Sequence, residues 1–435
     1  MIDTEIPQTA IDYIHSLGRF SGKPGLHRIR ALCAALGDPQ DRLHFVHLAG
    51  TNGKGSTACM TASILQAAGY RVGLYTSPYL VQFYERIRVD GAMIPDADLT
   101  RLAERVAVAC ESLALPEGES IGEFEFTTAL AFLYFAEQGC DIVVLETGLG
   151  GRCDATNVIR ANEVTVITPI SRDHMAVLGD TVAEIAGEKA AIIKPASAVV
   201  CADGQPEEAR VVIRHVCESR GAVWYDGTQE DRLLRCDIEG SAFVYEGQGY
   251  TIAMPGRHQL QNAMTTLRTV SALRERGWNI PVEAVVRGLA RARMPGRLER
   301  LSDQPLVLLD GAHNAAGVEA LCRAVDELLK MRRLHVVMGM VRDKEYEHCV
   351  REMARRADVF YACAPEAGDR AVNEHAIAAL AEQDCAEVYD CSSAAQALAL
   401  ALGKAGPKDC VLVCGSLYLI GETEKILKAR QKMAE

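Results

Sequence analysis

Long apolar runs and a basic leader are absent from this 435-residue sequence. The longest apolar runs are strand-length or are broken by charged residues, and the N-terminus is acidic, reading Met1-Ile2-Asp3-Thr4-Glu5. A membrane-crossing helix needs about 20 apolar residues, and a secretion signal needs a positive segment ahead of its apolar core. We therefore predict neither export nor a membrane span, and we expect a cytoplasmic protein.

Cysteine pairs with metal-ligand spacing are missing as well. The fifteen cysteines are an odd number, and no two are separated by two residues, as they are in a zinc knuckle or a redox pair. We interpret them as reduced residues of the protein core.

An excess of positive charge is also lacking, because 46 Lys and Arg residues face 58 Asp and Glu residues and give a net charge of −12. This balance argues against a large nucleic-acid or anionic-membrane surface, although it allows a local positive pocket for an anionic metabolite. No short repeat, heptad run or low-complexity tract is present. A length of 435 residues with 49% hydrophobic content is enough for two or three domain cores, and small-molecule chemistry is favoured.

One glycine-rich stretch organises the rest of the chain. It follows the apolar run at residues 43–48 and reads Gly50-Thr51-Asn52-Gly53-Lys54-Gly55-Ser56-Thr57. A strand that ends in such a turn and feeds a helix presents backbone N–H groups and the positive end of the helix to a polyphosphate. Lys54 adds a point charge, and Ser56 or Thr57 adds a hydroxyl for a phosphate-bound Mg²⁺.

The spacing differs from the common phosphate-loop pattern. Leu48 stands where that pattern needs its first glycine, and Gly55 separates Lys54 from the hydroxyls. We interpret the stretch as a variant, tighter phosphate loop. The alternative is a glycine-rich turn that binds nothing.

Alternating strand and helix patterns predict an α/β protein with parallel sheets. The first domain is predicted at residues 1–296, with strands at 43–48, 70–76, 141–146 and 162–168 and helices at 8–17, 25–36, 57–68, 97–113, 124–138, 182–193, 257–276 and 282–292. Short, turn-punctuated segments at 231–254 predict a small antiparallel annex with a hairpin turn at 238–241. After a hinge at Pro295-Gly296, a second α/β domain spans residues 297–435, with strands at 306–310, 334–338, 359–361, 386–389 and 411–414.

Polar residues follow several of these strands. Ligands of open parallel sheets bind beyond the carboxyl ends of strands, so Ser77, Glu146 and the segment after Thr168 should converge near the phosphate loop. Glu146 ends a buried strand and precedes a loop with three glycines, which makes it a candidate Mg²⁺ ligand. The alternative is a glutamate that caps an ordinary loop.

Three further segments are more ambiguous. His174 follows the strand at 162–168, where a lone histidine is a ligand or a structural residue. Lys189 lies in a helix, and on the residues alone we interpret Glu188-Lys189-Ala190 as a solvated charged face. Asp310 and His313 end a strand and open a helix, so they point either at a ligand or form a helix cap with a surface histidine. Ser416 lies at a similar corner after the final strand.

Taken together, these segments resemble the folylpolyglutamate synthase and dihydrofolate synthase family of Mur ligases. The resemblance runs in order over nearly the whole chain and is carried by Gly22-Lys23-Pro24-Gly25-Leu26, residues 50–56, Thr76-Ser77-Pro78, residues 146–157, Asp173-His174, Glu188-Lys189-Ala190, Pro295-Gly296-Arg297-Leu298-Glu299, Asp310-Gly311-Ala312-His313-Asn314 and Gly415-Ser416-Leu417-Tyr418. It implies an N-terminal phosphate-loop ATPase domain of the Mur-ligase type with the small annex, and a C-terminal Rossmann-like glutamate ligase domain.

The resemblance also implies a reaction. ATP phosphorylates the carboxylate of dihydropteroate or of a reduced folate, and the amino group of L-glutamate attacks the acyl phosphate. The implied cofactors are ATP and Mg²⁺, without a redox cofactor. The implied protein is a monomer that acts on small molecules.

The resemblance assigns roles to individual residues. It implies that the nucleotide contacts residues 50–56, Asn262, Arg297 and Asp310, and that Mg²⁺ is held by Ser56, Ser77, Glu146 and His174. Lys54, Lys189, Asp310 and His313 would act in catalysis, and Lys189 matches a lysine that reacts with CO₂ to become a carbamate. Gly25, Leu26, Phe124, Glu125 and Asp154 would contact the pterin substrate, while His313 and Ser416 would face the γ-phosphate or the incoming glutamate.

Two departures from the family pattern concern substrate detail. His27 stands where related sequences often carry glutamate, and Ala315-Ala316 replaces a proline-containing continuation. Two other functions remain as alternatives. A cell-wall Mur ligase would place a UDP-binding domain before the phosphate loop, and a regulatory ATP-binding module would not require Asp310 and His313 in a second domain.

Overall fold

The computed structural model describes residues 9–18 and 23–434 and places them in two compact units. Of the described residues, those up to 229 and those at 262–291 form the first unit, and those at 230–261 and 292–434 form the second. Three features of the sequence analysis lie outside the described residues: the acidic N-terminus at residues 1–5, the predicted helix start at residue 8, and Gly22.

An eight-stranded sheet forms the centre of the first unit. Its strands are β1 (Phe45–Ala49), β2 (Val72–Tyr75), β3 (Ile87–Val89), β4 (Ala92–Met93), β5 (Ile142–Glu146), β6 (Val164–Ile167), β7 (Ala198–Cys201) and β8 (Val223–Asp226). Their order is β4-β3-β2-β5-β1-β6-β7-β8. Six neighbouring strands run parallel, namely β2, β5, β1, β6, β7 and β8, whereas β3 and β4 add an antiparallel edge.

Helices cover both faces of this sheet. They are α1 (Ala10–Ser16), α2 (His27–Ala35), α3 (Lys54–Ala67), α4 (Asp96–Glu111), α5 (Glu123–Glu137), α6 (Met175–Leu178), α7 (Val182–Ala190), α8 (Glu207–Ser219), α9 (Arg257–Glu275) and α10 (Val282–Arg291). Short 3₁₀ helices lie at Pro39–Arg42, Phe83–Arg86 and Ala155–Val158. The first five residues of α9 belong to the second unit.

Two apolar clusters make up much of this unit's core. One joins α1, α2, α4 and α5 to the sheet through fully buried aromatic residues such as Phe45, Phe126 and Phe132. The other packs α7 and α8 against Ile167 and Val199. Because all five residues of β1 are buried, the strand is held on both faces, as a central parallel strand requires. The loop that follows β1 therefore starts from a rigid support.

The second unit contains two sheets. The strands β9 (Arg232–Asp237), β10 (Gly240–Tyr245) and β11 (Gln248–Ile252) form an antiparallel sheet. The strands β12 (Glu299–Asp303), β13 (Leu306–Leu309), β14 (Leu334–Met338), β15 (Val359–Ala362), β16 (Val388–Asp390) and β17 (Cys410–Cys414) form a sheet in the order β12-β13-β17-β14-β15-β16. This sheet is parallel except for β12, and its helices are α11 (Ala315–Leu328), α12 (Tyr346–Ala354), α13 (Glu374–Ala381), α14 (Ala394–Lys404) and α15 (Leu417–Ala434), with a 3₁₀ helix at Gly368–Arg370.

The predicted α/β class is confirmed, with its antiparallel annex and its C-terminal Rossmann-like sheet. The hairpin turn predicted at 238–241 joins β9 to β10, where Asp237 pairs with Gly240. The annex belongs to the second compact unit, whereas the sequence analysis places it in the domain at 1–296.

Several boundaries differ from the predictions. The helix predicted from residue 57 begins at Lys54, because Gly53 adopts a left-handed conformation (φ +88°) that caps it. The helix predicted at 182–193 ends at Ala190. The strands β3, β4, β7, β8 and β12 were not predicted, since they are short or lie at the sheet's margins.

All fifteen cysteines are free, and eleven of them are buried, in agreement with their interpretation as reduced core residues. None of the helices within residues 9–18 and 23–434 is both long and apolar enough to cross a membrane.

Candidate active site

The glycine-rich loop leaves the carboxyl end of β1 and depends on two glycines for its shape. Gly50 has φ +153° and lies so close to Thr168 that a Cβ atom would be 1.8 Å from Thr168 Oγ1. Gly53 has φ +88°, and a Cβ there would be 2.4 Å from Asn262 Oδ1. A side chain at Gly50 would also meet Thr168 O at 2.9 Å, and a side chain at either position would be strained by its positive φ. Lys54, Gly55 and Ser56 form the first turn of α3, so the positive end of this helix faces the loop.

Hydrogen bonds fix this loop to the segment after β6. The Thr51 N–H donates to Pro169 O at 3.0 Å. The Thr51 hydroxyl donates to Ser171 O at 3.0 Å and accepts from the Ser171 N–H at 3.0 Å. The segment that carries His174 is thus held next to the phosphate loop, as the sequence analysis expects.

Lys54 and Glu146 lie together at the same edge of the sheet. Lys54 Nζ is 3.9 Å from Glu146 Oε1 and donates to Gly50 O at 3.2 Å and Thr51 O at 3.3 Å. Glu146 Oε2 accepts from the Ser77 N–H at 3.2 Å. The loops after β1, β2 and β5 therefore converge, because these strands are neighbours in a parallel sheet.

Lys189 is buried and contacts the phosphate loop directly. Only 5% of the residue is exposed, and its Nζ donates to Gly50 O at 2.7 Å. The interpretation of residues 188–190 as a solvated face is wrong for Lys189, although Glu188 does form an exposed ion pair with Arg152. Lys189 lies on the side of α7 that faces the end of β1. The sequence alone does not show which side of the helix packs on the sheet.

The four predicted metal ligands differ in their exposure. Ser56 and Glu146 are buried, Ser77 is half-buried, and His174 is exposed at a left-handed turn (φ +51°) that begins α6. His174 Nε2 is 3.9 Å from Asp173 Oδ1. Within residues 9–18 and 23–434, no group of three or more His, Cys, Asp and Glu side chains could hold a metal ion. This donor set fits Mg²⁺ bound through one carboxylate, hydroxyls, water and substrate phosphates, and not a metal caged by protein alone.

Gly53→Ala tests the importance of the loop's shape. We expect the KM for ATP to rise about tenfold or more and Tm to fall, because the variant combines an unfavourable φ with a contact on Asn262. Gly403→Ala is the matched control, since Gly403 lies in α14 with open space around it and alanine favours a helix. Unchanged ATP dependence in Gly53→Ala would contradict the role of this turn.

The predicted pterin residues lie in the same unit but have different surroundings. Leu26 and Phe124 pack against the apolar cluster of α1, α2, α4 and α5. A Cβ on Gly148 would be 2.6 Å from Phe124 Cζ, so the glycine loop after β5 touches this ring. Gly25 and the His27 side chain lie close together at the start of α2, where a Cβ on Gly25 would be 3.0 Å from His27 Nδ1.

Glu125 is engaged by protein groups. Its carboxylate accepts from Arg28 Nε at 3.1 and 3.2 Å and from the Gly122 N–H at 3.0 Å, and both Arg28 and Glu125 are buried. Arg28 was not predicted, although it lies two positions after Leu26, the last residue of the first segment that carries the resemblance. The pair ties α2 to α5 beside the predicted substrate residues.

A buried polar network supports the loop that follows β5. Asp154 accepts from the Leu149 N–H at 2.8 Å and from the Thr156 hydroxyl at 2.5 Å, and burial raises the pKa of Asp154 above its ordinary value. Thr156 Oγ1 is also 2.8 Å from Nε2 of His47 on β1. Burial, together with the charge of Lys194, lowers the pKa of His47 well below its ordinary value, so this ring is neutral.

Lys194 joins this network through Asn157. Its Nζ donates to Asn157 O at 3.1 Å and Asn157 Oδ1 at 2.7 Å, and Asn157 Nδ2 donates to Arg152 O at 3.2 Å. Burial, with the nearby positive charges of Arg220 and Arg30, lowers the pKa of Lys194 from 10.5 to about 8.

This pKa predicts a pH dependence of stability. Between pH 8 and 10.5 the unfolded chain holds a proton on Lys194 that the folded protein has lost, so stability rises with pH over this range. Relative to Lys194→Met, the Tm of the wild type should increase from pH 8 to pH 10.5, by about 5 °C at most. Calorimetry in buffers without phosphate measures this difference. A difference that is constant with pH would show that Lys194 titrates with its ordinary pKa.

The predicted residues of the second unit meet at the ends of β13 and β17. Asp310 is buried, and its carboxylate accepts from the Leu298 N–H and the Ala312 N–H, each at 2.9 Å. His313 Nδ1 is 2.7 Å from Gly311 O. Asn314, and not Asp310, caps α11 by accepting from the Gly317 N–H at 2.8 Å. Asp310 thus fixes the backbone beside Arg297.

Ser416 lies at the neighbouring corner. It is buried, and its hydroxyl accepts from the Tyr418 N–H at 3.2 Å, while the Gly415 N–H donates to Ala312 O at 3.1 Å. The corner after β17 is thereby joined to the corner after β13, as expected for adjacent parallel strands.

His258 is a second residue that the sequence analysis missed. It lies in the first turn of α9, four positions before Asn262. Burial lowers the pKa of His258; the nearby Asp310 opposes this effect, and Arg297 and Arg323 add to it. The sequence did contain a signal for His258, because a residue four positions before the predicted nucleotide contact Asn262 lies on the same side of the helix.

Comparisons with known proteins give consistent matches. The family model described as the Mur ligase middle domain matches residues 48–270, and the model described as the Mur ligase glutamate ligase domain matches residues 296–417. A dihydrofolate synthase/folylpolyglutamate synthase of Bacillus subtilis is 39% identical over 439 residues, which cover 97% of this chain and 99% of the relative.

Solved structures of related proteins also match nearly the whole chain. The structure of Escherichia coli FolC in complex with DHPP and ADP has a TM-score of 0.84 and 31% identity, with coverage of 97% of both chains. A bifunctional folylpolyglutamate synthase/dihydrofolate synthase of Yersinia pestis, complexed with AMPPNP and a Mn ion, has a TM-score of 0.81 and 29% identity, with coverage of 96% of this chain and 97% of that one.

Proposed function

The chain belongs to the folylpolyglutamate synthase/dihydrofolate synthase family of Mur ligases, and from this premise we propose how its residues perform ATP-dependent ligation of glutamate to a folate-type carboxylate. Membership decides against a non-catalytic regulatory module, and the named relatives decide against a cell-wall ligase. The observation that carries the proposal is the convergence of the phosphate loop, Lys54 and Glu146 at one edge of the sheet.

The first step is activation of the carboxylate. A carboxylate is a poor electrophile and repels ATP, so the site must neutralise negative charge while aligning the reactants. We propose that the carboxylate oxygen attacks the γ-phosphorus of ATP, which forms an acyl phosphate and releases ADP. Lys54 and the N–H groups of the loop and first turn of α3 would offset the charge on the phosphates.

The second step is amide formation. The amino group of L-glutamate attacks the acyl carbon, and the tetrahedral intermediate collapses with loss of phosphate. By the family pattern, His313 and Ser416 face the γ-phosphate or the incoming glutamate, and Asn262, Arg297 and Asp310 contact the nucleotide. The bonds from Asp310 to the Leu298 and Ala312 N–H groups support a positioning role for its carboxylate.

A divalent metal is part of the proposal. Glu146, Ser56, Ser77 and His174 are the proposed ligands of Mg²⁺, which when bound would neutralise phosphate charge and polarise the transferred group. Two of these ligands are supported by contacts, since Glu146 Oε1 approaches Lys54 and its Oε2 accepts from the Ser77 N–H.

The proposed carbamate on Lys189 follows the family pattern and is testable separately. A carbamate N–H could keep the bond to Gly50 O, while its carboxylate would orient metal- or phosphate-binding groups. We expect activity to fall in CO₂-free buffer and to return with bicarbonate, and ¹³CO₂ to give a carbamate NMR signal that is absent from Lys189→Gln. Full activity without CO₂ and no such signal would leave Lys189 as an ammonium that holds Gly50.

Measuring phosphate release identifies the acceptor substrate. The reaction contains ATP, Mg²⁺ and L-glutamate, and dihydropteroate and tetrahydrofolate are supplied as acceptors in parallel. Release with dihydropteroate alone indicates a dihydrofolate synthase, release with tetrahydrofolate alone a polyglutamylating enzyme, and release with both a bifunctional enzyme. No acceptor-dependent release would overturn the proposed reaction. Pterin contacts are proposed for Gly25, Leu26, Phe124, Glu125 and Asp154.

We also propose that the enzyme is a cytoplasmic monomer. Fifteen free cysteines support a reducing compartment. Light scattering after size exclusion measures the oligomeric state.

A further inference from the structure

A cavity lies in the first unit at the end of the sheet opposite to the phosphate loop. Its volume is about 600 Å³, within the range of small-molecule sites. Its lining includes residues that precede strands: Gln40 comes before β1, Arg160 before β6, Lys194 before β7 and Arg220 before β8. These strands are neighbours and parallel, so the cavity lies at their amino ends.

Positive charge is concentrated in this cavity, although the whole chain has a net charge of −12. Arg30, Arg160, Lys194 and Arg220 line it, against the single carboxylate of Asp38. Arg160 pairs with Asp41 at 3.4 Å. Within the part of the chain that the structure describes, no carboxylate pairs with Arg30, Lys194 or Arg220.

The hydrogen bonds of Lys194 and Arg220 leave N–H donors for an anion. Lys194 is 9% exposed and donates only to Asn157 O and Oδ1, although an ammonium has three N–H donors. Arg220 Nη1 donates to Ile193 O at 3.2 Å. Both acceptor residues offer neutral oxygens, so neither compensates the positive charge.

Gln40 adds an unsatisfied acceptor to the same cavity. The residue is 4% exposed, its Nε2 donates to Asp38 Oδ1 at 2.9 Å, and its Oε1 is buried without a partner among the described residues. A buried amide oxygen without a donor is costly, and a ligand hydroxyl would satisfy it if the Gln40 side chain turned this oxygen toward the cavity.

We propose that this cavity binds a small phosphate monoester that carries a hydroxyl group. The phosphate lies among Arg30, Lys194 and Arg220, and the hydroxyl donates to Gln40 Oε1 once the Gln40 side chain turns toward the cavity. Three cations without carboxylate partners match the charge of a phosphate monoester, about −1.5 to −2, better than the single charge of a carboxylate.

The site is distinct from the proposed ATP site. The phosphate loop follows the carboxyl end of β1, and the five residues of this strand separate the two by roughly 15 Å at about 3.3 Å per residue. Lys194 contacts Asn157, which in turn donates to Arg152 O beside the glycine loop, so an occupant would contact a residue that supports the active site.

Calorimetric titration of the full chain with glycerol 2-phosphate tests the proposal, at constant ionic strength. The background is Lys54→Ala, which weakens phosphate binding at the phosphate loop. Adding Arg30→Ala and Arg220→Ala should weaken binding about tenfold or more, because each removes a charge-assisted contact. The matched control adds Arg105→Ala and Arg287→Ala, two exposed arginines of the same unit outside the cavity.

We expect one site of near-unit stoichiometry that is weakened by the cavity pair and unchanged by the control pair. Equal weakening by both pairs, no binding at all, or equal affinity for malonate would overturn the assignment. If the cavity pair fails to fold, Lys194→Met replaces it in the same titration, and undiminished binding in that variant would likewise overturn the assignment.

Discussion

Lys54→Ala is expected to lower kcat about a thousandfold, which is the upper range for losing one fixed group that stabilises negative charge in the transition state. The Lys54 ammonium lies between the carbonyl oxygens of Gly50 and Thr51 and 3.9 Å from Glu146, so it holds the loop. We propose that it meets the phosphates of ATP from there. Steady-state phosphate release with saturating ATP, acceptor and L-glutamate measures the effect.

The control for this variant is Lys330→Ala, because Lys330 is exposed in the turn that follows α11. Circular dichroism and Tm should show that both variants are folded. Near-normal turnover in Lys54→Ala would remove the proposed role of this lysine and leave it as a structural contact of the loop.

Glu146→Gln is expected to lower kcat about a hundredfold or more and to raise the Mg²⁺ concentration needed for half-maximal activity about ten- to hundredfold. Glutamine keeps an oxygen that accepts from the Ser77 N–H but loses the charge opposite Lys54. A metal titration at fixed ATP separates the two effects.

The matched control is Glu137→Gln, which removes a carboxylate paired with exposed arginines on the surface. Since Lys54 and Glu146 are in contact, the double variant Lys54→Ala/Glu146→Gln should lose less than the product of the single effects. Strict additivity, or an unchanged Mg²⁺ requirement in Glu146→Gln, would contradict a shared site.

The phosphate loop could be located from sequence because its signal is local. A buried strand, three glycines, Lys54 and three hydroxyl residues within about a dozen positions already indicate a strand-loop-helix turn. The start of α3 could not be placed in this way, since it depends on the left-handed backbone at Gly53 and on the close approach of Asn262.

Lys189 illustrates the opposite case. Its neighbour Glu188 is paired at the surface, whereas Lys189 is buried on Gly50, and a helical charge pattern does not separate the two. Only the family resemblance singled it out. Glu125, which the resemblance predicts as a substrate contact, also pairs with Arg28, and the sequence does not indicate this pairing because the two residues are 97 positions apart along the chain.

By itself, the sequence determined the α/β class, the antiparallel annex, the phosphate loop and the ligase family, because periodicity, glycine-rich turns and ordered motifs are local properties of the chain. Tertiary structure decided which residues meet: Lys54 with Glu146, Lys189 with Gly50, Arg28 with Glu125, and the four cations of the cavity at the amino ends of the strands. The physical reason is that strand order brings together residues far apart in sequence, and burial then fixes their charges and partners.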